Sequence, residues 1–201
     1  MGSIYGQKYT ELEDTMRSIV DEIGSIREIA LSRSGFDPIE HISYRIKTEE
    51  SMLDKIKRKG LPLTTESALE AIHDAVGIRV VCAFINDIYA VRDHLLSLKN
   101  CEVIEEKDYI RHAKENGYRS YHMIVKVNGS IYVEIQLRTI SQDTWAALEH
   151  HIHYKKDKTD MDKLISAELK RCADELASTD LSMQTIRDMI EKNRNEQEQA
   201  G

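Results

Sequence analysis

Residues 120–127 and 131–137 are two short segments in which apolar and polar residues largely alternate, and they are joined by Asn128-Gly129. Alternation with a period of two is typical of a strand with one buried face. Asn-Gly favours the tight turns of hairpins, because both residues adopt positive φ angles at little cost. We therefore predict two adjacent antiparallel strands, which any fold of this chain has to accommodate.

A second β signal is the run at residues 76–84, which is rich in β-branched and apolar residues and too short for a surface helix. We predict a strand that is buried on both faces and central in its sheet. Residues 85–98 return to helical spacing, and residues 101–107 indicate a further strand. Strands interleaved with helices, together with one hairpin, predict an α+β fold: a mixed β-sheet flanked by helices.

Further helices are predicted before and after these strands. Apolar residues at alternating spacings of three and four indicate one long helix, from a capping box at Thr10 to the glycine and proline of residues 34–38. Three more helices are predicted over residues 48–59, over residues 66–72 and, behind a second capping box at residues 139–142, through His151.

The last stretch, residues 158–201, is predicted to form a helical arm separate from the domain of residues 1–157. Its apolar stripe is nearly heptad and is interrupted around Ser178-Thr179-Asp180; its members are Ile165, Leu169, Cys172, Leu176, Met183, Ile186 and Ile190. Such a stripe can pack on its own domain or join subunits, and the pattern by itself favours neither.

Composition limits the classes of function. No apolar run approaches the ~20 residues of a membrane helix and the first residues lack an apolar signal core, so we expect a soluble, cytoplasmic protein without a membrane partner. The three widely spaced cysteines predict neither a disulfide framework nor a zinc ribbon. A net charge of −7 argues against duplex DNA as a partner, whereas the basic segment at residues 41–60 suits a small polyanion.

Two acidic residues are candidates for binding a metal ion. Glu134 lies two positions before Gln136 on a predicted strand, so their side chains share one face, and Asp74 precedes the buried strand. Carboxylates on neighbouring strands are what Mg²⁺ needs when substrate phosphates also bind it. Periodicity alone favours a half-exposed strand and a turn residue instead. His73-Asp74 also suggests a metal phosphohydrolase, but the sequence shows no set of further His and Asp ligands for that chemistry.

Lys47, Ser51 and Lys55 are spaced i, i+4, i+8, which predicts one helical face that could bind phosphates. A solvated basic face explains the same spacing and is the more common case. A histidine cluster in the helix after residue 139 does not direct three ligands at one ion; it comprises His150, His151 and His153.

The polar segment at residues 107–122 leads into the first hairpin strand. Loops of this kind carry binding groups on a rigid scaffold, and Tyr118 after Gly117 can present an open ring face to a nucleobase. Asn116-Gly117 is also a common turn, so the pair can have a purely structural role.

Six motifs occur in order between residues 42 and 155. They are Ser43-Tyr44-Arg45-Ile46-Lys47 with Ser51 and Lys55, Asp74-x-x-Gly77-x-Arg79, Lys107-Asp108-Tyr109-Ile110, Asn116-Gly117-Tyr118-x-Ser120-x-His122, Val133-Glu134-Ile135-Gln136-Leu137-Arg138-Thr139 and Trp145-Ala146-x-Leu148-Glu149-His150. Together they resemble the synthetase domain of the RelA/SpoT-type alarmone synthetases, and the short chain looks like a small alarmone synthetase. The resemblance implies a mixed sheet flanked by helices, related to the nucleotidyltransferases.

The resemblance also implies a reaction, the transfer of the β,γ-pyrophosphate of ATP to the ribose 3′-hydroxyl of GTP or GDP, with AMP leaving. The site residues that it implies are Asp74 and Glu134 for Mg²⁺, with Glu134 also accepting the hydroxyl proton; Arg45 and Arg79 for adenine; Lys47, Ser51 and Lys55 for the ATP phosphates; and Lys114, Asn116, Tyr118, His122 and Gln136 for the acceptor, with Tyr118 stacking on guanine. Ala113 departs from the family pattern, which commonly has proline there. Small synthetases of this kind form tetramers, so the resemblance favours a homo-oligomer joined by the arm.

Other functions are compatible with the same residues. The acceptor could be an adenine nucleotide or the 3′ end of tRNA, as in toxin-like relatives, although the acidic composition argues mildly against tRNA. The chain could also be a nucleotide-binding or RNA-binding module without turnover, but all the implied catalytic groups are present. The sequence leaves open the preference between GDP and GTP and any regulation by product or RNA.

Overall fold

The computed structural model describes residues 3–152 and 160–200, which contain a five-stranded sheet and six α-helices. In chain order the elements are α1 (Tyr9–Ser34), β1 (Ile39–Ile46), α2 (Glu49–Arg58), α3 (Thr65–Leu69), β2 (Val76–Cys82), α4 (Ile85–Ser97), β3 (Cys101–Asp108), β4 (Tyr121–Val127), β5 (Ile131–Thr139), α5 (Ile140–Ile152) and α6 (Asp160–Ala200). The strands lie in the order β1-β2-β5-β4-β3. The α+β class with helical N- and C-terminal regions is confirmed.

The predicted hairpin lies at the middle of the sheet. β4 and β5 pair antiparallel from Val127 opposite Ile131, and both turn residues have a positive φ, 51° at Asn128 and 66° at Gly129. β5 also pairs parallel with β2, and β1 and β3 pair antiparallel at the two edges. The sheet is therefore mixed, as predicted, but its central strand is β5 and not β2.

The two faces of the sheet differ in polarity. On one face, residues of β5 such as Val133 and Ile135 are fully buried in a core that also contains Leu12 of α1. The opposite face carries the polar residues of β4 and β5 and is only half-buried. The prediction that β2 is buried on both faces is therefore wrong, because Gly77 and Arg79 border an open cleft on the polar face.

The local structure at β1 and at two helix starts agrees only in part with the sequence. The edge strand β1 was not predicted, because most of its residues are exposed and show no alternation of apolar and polar types. The capping box at Thr10 is wrong, since α1 begins at Tyr9 and has no side-chain cap. The second capping box is confirmed: Thr139 Oγ1 accepts from the Gln142 backbone N–H at 3.1 Å, and the Thr139 N–H donates to Gln142 Oε1 at 3.3 Å.

Cys82, Cys101 and Cys172 are free thiols, as predicted. Cys82 is fully buried and is a small core residue, and this burial raises the pKa of its thiol. Among the helices in the described ranges, none is both long and apolar enough to cross a membrane.

Between residues 180 and 187, the helix α6 contacts the domain through polar side chains. Asp180 accepts a hydrogen bond from Thr139 Oγ1 at 2.6 Å, and the Arg187 guanidinium forms a buried ion pair with Asp87 at 2.5 Å. The Arg187 guanidinium also lies 4.8 Å from the centre of the Phe84 ring. These contacts explain the interruption of the apolar stripe around residue 180, because that part of α6 faces the domain.

The predicted arm therefore packs on its own domain, which was one of the two interpretations of its stripe. Leu169 and Leu176 are half-buried against the domain, whereas Met183, Ile186 and Ile190 are exposed. The exposed end of the stripe is compatible with the second interpretation, in which the arm joins subunits. The predicted boundary between residues 157 and 158 lies outside the described residues.

The polar loop before β4 rests on α6. Gly117 has a φ of +90°, and a Cβ atom there would lie 2.6 Å from Ala173 Cβ and 3.3 Å from Lys170 Cα. Arg119 Nη2 forms an ion pair with Asp174 at 2.9 Å beside this contact. Only a residue without a side chain fits at position 117, so α6 supports the loop at close range.

Gly117→Ala and Gly129→Ala form a matched pair of substitutions for testing this contact. Both glycines have a positive φ, so each alanine introduces backbone strain, but only a Cβ at position 117 meets α6. We expect urea unfolding to show that Gly117→Ala lowers the free energy of unfolding by about 1–3 kcal/mol more than Gly129→Ala, the typical cost of overpacking. Equal losses in the two variants would contradict the docking of the loop on α6.

Candidate active site

The polar face of the sheet contains a cleft of about 290 Å³ that spans β1, β2 and β5. The parallel register of β2 and β5 places Gly77 opposite Glu134 and Arg79 opposite Gln136. These four residues border the cleft because residues two apart on a strand share one face. Arg45 of β1 pairs with Gly77, and the missing side chain of this glycine leaves open space between Arg45 and Glu134.

Arg45 and Arg79 border the cleft from neighbouring strands. Arg79 Nη1 lies 3.5 Å from Asp143 Oδ1, while its buried Nε has no hydrogen-bond partner within the described parts of the chain. Burial first, and then the charge of Arg138, lowers the pKa of Arg79, but a guanidinium stays protonated at neutral pH. Planar cations beside an open cleft can stack on a flat ring or bind an anion.

A carboxylate held by two lysines lies at the amino end of β2, three residues before Gly77. Asp74 Oδ2 accepts from Lys47 Nζ at 2.8 Å and from Lys55 Nζ at 2.5 Å. Burial alone would raise the pKa of Asp74, but the hydrogen bonds and charges of the two lysines outweigh it and lower the pKa. The other oxygen, Oδ1, is buried and makes no hydrogen bond to the residues that the structure describes. Asp74 is therefore an ionised group with one oxygen still free to bind.

The predicted helical face of Lys47, Ser51 and Lys55 is only partly correct. α2 begins two residues after Lys47, so this lysine lies between β1 and α2. Ser51 is in the first turn of α2, where its hydroxyl accepts from Thr48 Oγ1 at 2.9 Å. The two lysines do come together, but through their shared contact with Asp74 and not through helical spacing.

The side chains in the described ranges do not by themselves complete a metal site. Within residues 3–152 and 160–200, no group of three or more His, Cys, Asp or Glu side chains could hold a metal ion. An ion at Asp74 and Glu134 would need further oxygen ligands from a bound substrate, which is how Mg²⁺ commonly binds at phosphate sites. His150 and His151 are exposed at the end of α5, and the predicted third member of that cluster, His153, lies outside the described residues.

Glu134 also borders a second, smaller cavity of about 60 Å³, which is lined by His122 as well. His122 is the last residue of the polar segment at residues 107–122, and other residues of this segment lie close to it. Tyr118 Oη lies 2.8 Å from His122 Nε2, and Lys114 Nζ lies 4.9 Å from the centre of the Tyr118 ring. Gln136 pairs with His122 across β4 and β5. The loop and the hairpin thus form a second, aromatic and basic surface next to the cleft.

Asn116 has a structural role in this loop. Its Oδ1 accepts from the Tyr118 backbone N–H at 3.2 Å, and Gly117 between them has a positive φ. The turn interpretation of Asn116-Gly117 is therefore confirmed. The turn also places the Tyr118 ring against His122 and Lys114, so the structural role of the pair serves the surface.

His122 is a neutral group in this surface. Burial first, and then the positive charges of Arg138, Lys114 and Lys107, lower the pKa of His122 to about 4. The imidazole is therefore uncharged at pH 7. In this form one ring nitrogen accepts a hydrogen bond and the other donates one, which suits recognition of a polar ligand more than attraction of an anion.

Sequence patterns assign no role to Arg138 or Asp143, yet both contact site residues. Arg138 Nη2 donates to Tyr118 Oη at 2.8 Å and to Gln136 Oε1 at 3.1 Å. Asp143 Oδ1 accepts from Arg138 Nη1 at 2.9 Å. Alternation along β5 could have identified Arg138, because it shares a face with Gln136. The position of Asp143 depends on how α5 packs against the sheet, which no local pattern reveals.

Known proteins resemble this chain in sequence and fold. Residues 44–159 match the family described as "Region found in RelA / SpoT proteins". GTP pyrophosphokinase YwaC of Bacillus subtilis (strain 168) is 44% identical over 147 residues, which cover 70% of this chain and 70% of that protein. The crystal structure of small alarmone synthetase 1 from Bacillus subtilis bound to its product pppGpp superposes with a TM-score of 0.74 at 31% identity, covering 89% of this chain and 94% of that one. The same enzyme bound to AMPCPP gives a TM-score of 0.70 at 28% identity, over 90% of this chain and 94% of that one.

The matched segment contains the last three residues of β1, including Arg45, all of β2 and β5, and the polar loop, so it includes both surfaces of the site. It extends over more than half of the chain. Agreement of the ordered motifs, the family match and the superposed folds confirms the resemblance seen in the sequence. This chain belongs to the RelA/SpoT family.

Proposed function

We propose that this chain is a GTP pyrophosphokinase that transfers the β,γ-pyrophosphate of ATP to the ribose 3′-hydroxyl of GTP or GDP, giving (p)ppGpp and AMP. The proposal rests on one observation above all: Glu134 lies between a cleft bordered by two arginines and a surface formed by Tyr118, His122 and Lys114. Two different nucleotides fit such a pair of surfaces. The proposal is supported by relatives that are named GTP pyrophosphokinase or solved with pppGpp and with AMPCPP.

ATP occupies the cleft side of this site. Arg45 and Arg79 clasp the adenine with their planar guanidinium groups. Lys47, Ser51 and Lys55 bind the phosphates. Because two lysines share a single carboxylate, their cluster keeps a net positive charge that attracts a polyanion.

Asp74 and Glu134 would hold Mg²⁺ beside the phosphates. The fit rests on Asp74 Oδ1, a buried carboxylate oxygen without a hydrogen-bond partner in the described chain, since Mg²⁺ prefers carboxylate and phosphate oxygens. A bound Mg²⁺ supplies positive charge that neutralises the phosphate oxygens during transfer. The chain itself contributes position and electrostatics.

The acceptor nucleotide binds on the hairpin side. Its guanine stacks on Tyr118, and Lys114, Asn116, His122 and Gln136 line the site. The 3′-oxygen attacks the β-phosphorus of ATP while Glu134 accepts the hydroxyl proton; the bond from the β-phosphorus to the bridging oxygen breaks, and this oxygen leaves with AMP. Such a transfer demands alignment and charge neutralisation more than covalent catalysis.

The domain of residues 1–157 carries this reaction, and the arm of residues 158–201 joins subunits into a homotetramer. The exposed end of the stripe on α6 is suited to this role, because Met183, Ile186 and Ile190 present apolar surface to solvent. The same helix docks on its own domain through Asp180 and Arg187, which leaves the apolar flank for a partner subunit.

An acceptor assay tests the proposed reaction directly. Purified protein is incubated with Mg²⁺ and ATP labelled in the γ-phosphate, together with GTP, GDP, ADP or tRNA in separate reactions. We expect the label to appear on GTP and GDP, with release of AMP, because the Tyr118 surface accepts a free guanine nucleotide. Label on ADP or tRNA alone would identify a different acceptor. Nucleotide binding without any transfer would show that the chain is a binding module.

Glu134→Gln tests the proposed proton acceptor. Glutamine keeps the size and hydrogen-bonding capacity of the side chain but has no carboxylate to accept the proton. We expect pyrophosphate transfer to fall by at least about 100-fold, the typical contribution of a positioned general base, while GDP binding measured by calorimetry is retained. Glu102→Gln, on the exposed edge strand β3, is the matched control and should leave both unchanged. Undiminished turnover in Glu134→Gln would remove Glu134 from this role.

Charged substitutions on α6 test the proposed assembly. Ile186 is 50% exposed, and Ile186→Glu puts a carboxylate into the apolar flank that joins subunits. We expect light scattering coupled to size exclusion to show smaller species for Ile186→Glu than for the tetrameric parent chain. Thr185→Glu is the control, because Thr185 is exposed on a different flank of the helix. A parent chain that is monomeric at micromolar concentration would refute the assembly.

A further inference from the structure

Arg138 is a charged residue in a buried position. It lies near the carboxyl end of β5, on the same face as Glu134 and Gln136, and only 5% of the residue is exposed. Burying a guanidinium is unfavourable unless its N–H groups find acceptors. The acceptors that Arg138 finds therefore indicate what the residue does in the fold.

The oxygen atoms that accept hydrogen bonds from Arg138 belong to the surface that is proposed to bind the acceptor nucleotide. Arg138 Nη2 donates to Tyr118 Oη at 2.8 Å and to Gln136 Oε1 at 3.1 Å. Its Nε also lies 3.4 Å from Ser120 Oγ, which holds the start of β4. The planar guanidinium of Arg138 thus contacts two side chains that are distant in the sequence: Tyr118 in the loop before β4 and Gln136 in β5.

These hydrogen bonds have a defined direction, because a guanidinium can only donate. Tyr118 Oη accepts from Arg138, so its own hydrogen is available for His122 Nε2 at 2.8 Å. With Tyr118 as the donor in this hydrogen bond, His122 accepts at Nε2 and carries its proton on Nδ1; its lowered pKa agrees with a neutral ring. Gln136 likewise presents its oxygen to Arg138, which turns its NH₂ group towards Glu134 Oε2 at 3.4 Å.

Arg138 is also connected to the ATP side of the site. Asp143 Oδ1 lies 2.9 Å from Arg138 Nη1 and 3.5 Å from Arg79 Nη1. A single carboxylate oxygen therefore lies between one arginine behind the acceptor surface and one arginine bordering the cleft. The two proposed nucleotide sites share this ion-pair network.

We propose that Arg138 is a positioning residue that orients Tyr118, His122 and Gln136 for the acceptor nucleotide, and that Asp143 links this arrangement to Arg79 on the ATP side. The inference rests on the proposed function, because it assigns these residues to that reaction. Arg138 touches neither substrate in this role; it acts by fixing the hydrogen-bond donors and acceptors that the acceptor nucleotide meets.

If Arg138 had only a structural role, its buried ion pair would stabilise the sheet without orienting the residues that bind GDP. The two roles differ in the kinetic constant that a substitution changes. Loss of stability lowers the amount of active enzyme and leaves the KM values for ATP and GDP alone, whereas loss of positioning raises the KM for GDP selectively. Steady-state kinetics with purified, folded variants therefore separate them.

Arg138→Lys is the principal variant, because lysine keeps the charge but lacks the planar fork. We expect the KM for GDP to rise about 10- to 100-fold, as for the loss of a hydrogen bond to a charged group, and the KM for ATP to stay within about twofold. Asp143→Asn should raise both KM values, since Asp143 contacts both arginines. Arg92→Lys is the matched control: Arg92 donates to Glu106 and to Tyr121 Oη outside the site, and both KM values should remain unchanged.

Tyr118→Phe provides a second test that does not disturb the buried ion pair. It keeps the aromatic ring for stacking and removes only the hydroxyl that connects Arg138 to His122. We expect the KM for GDP to rise about 2- to 10-fold, less than in Arg138→Lys, because Arg138 keeps its hydrogen bond to Gln136. This variant keeps the proposal testable if Arg138→Lys does not fold.

The ¹⁵N chemical shifts of the His122 ring give a readout that does not depend on activity. In the free parent protein at neutral pH we expect the Nδ1–H tautomer, and in Tyr118→Phe a mixture of both tautomers. A parent protein with the proton on Nε2, or an Arg138→Lys variant whose KM for GDP equals that of Arg92→Lys, would overturn the proposal. If the parent chain transfers pyrophosphate to no guanine nucleotide, the proposed function fails, while the tautomer still tests the arrangement that Arg138 imposes.

Discussion

Parallel pairing of β2 with β5 places Gly77 opposite Glu134 and Arg79 opposite Gln136. A shift of β5 by one residue would bury Glu134 and turn Val133 into the cleft. The apolar side chains on the core face oppose such a shift, because full burial of one of them is worth about 1.5–3 kcal/mol. The core beneath the sheet therefore determines the geometry of the polar site above it, and both proposed nucleotide sites depend on this single register.

Charges within that site are held by protein partners. Asp74 remains ionised between Lys47 and Lys55, and Arg138 is buried against Asp143 and uncharged oxygens. Buried charges persist only with such partners, and removing one partner is strongly destabilising. The site contains several charged side chains in fixed positions. Asp74 Oδ1 has no hydrogen-bond partner among the described residues, so it can bind a further group. This combination suits pyrophosphoryl transfer, which needs alignment and neutralisation of phosphate charge.

Local patterns in the sequence were sufficient for a large part of this structure. The Asn128-Gly129 turn and the capping box from Thr139 to Gln142 depend on residues within a few positions of each other, and both were correctly predicted. Alternation along β5 correctly placed Glu134 on the polar face. The ordered motifs were sufficient for the family, because each motif joins residue types that a nucleotide site needs. The edge strand β1 escaped prediction, because its exposed residues do not alternate.

The sequence by itself thus determined the hairpin, most helices, the family and the residue types of the site. Tertiary structure alone decided which of these residues meet: Lys47 and Asp74 are 27 positions apart, and Tyr118 and Arg138 are 20 apart. It also decided that α6 docks through Asp180 and leaves much of its apolar stripe exposed. The physical reason is that hairpin turns, caps and strand faces depend on neighbouring residues, whereas these contacts depend on strand register and helix packing, which the whole core selects together.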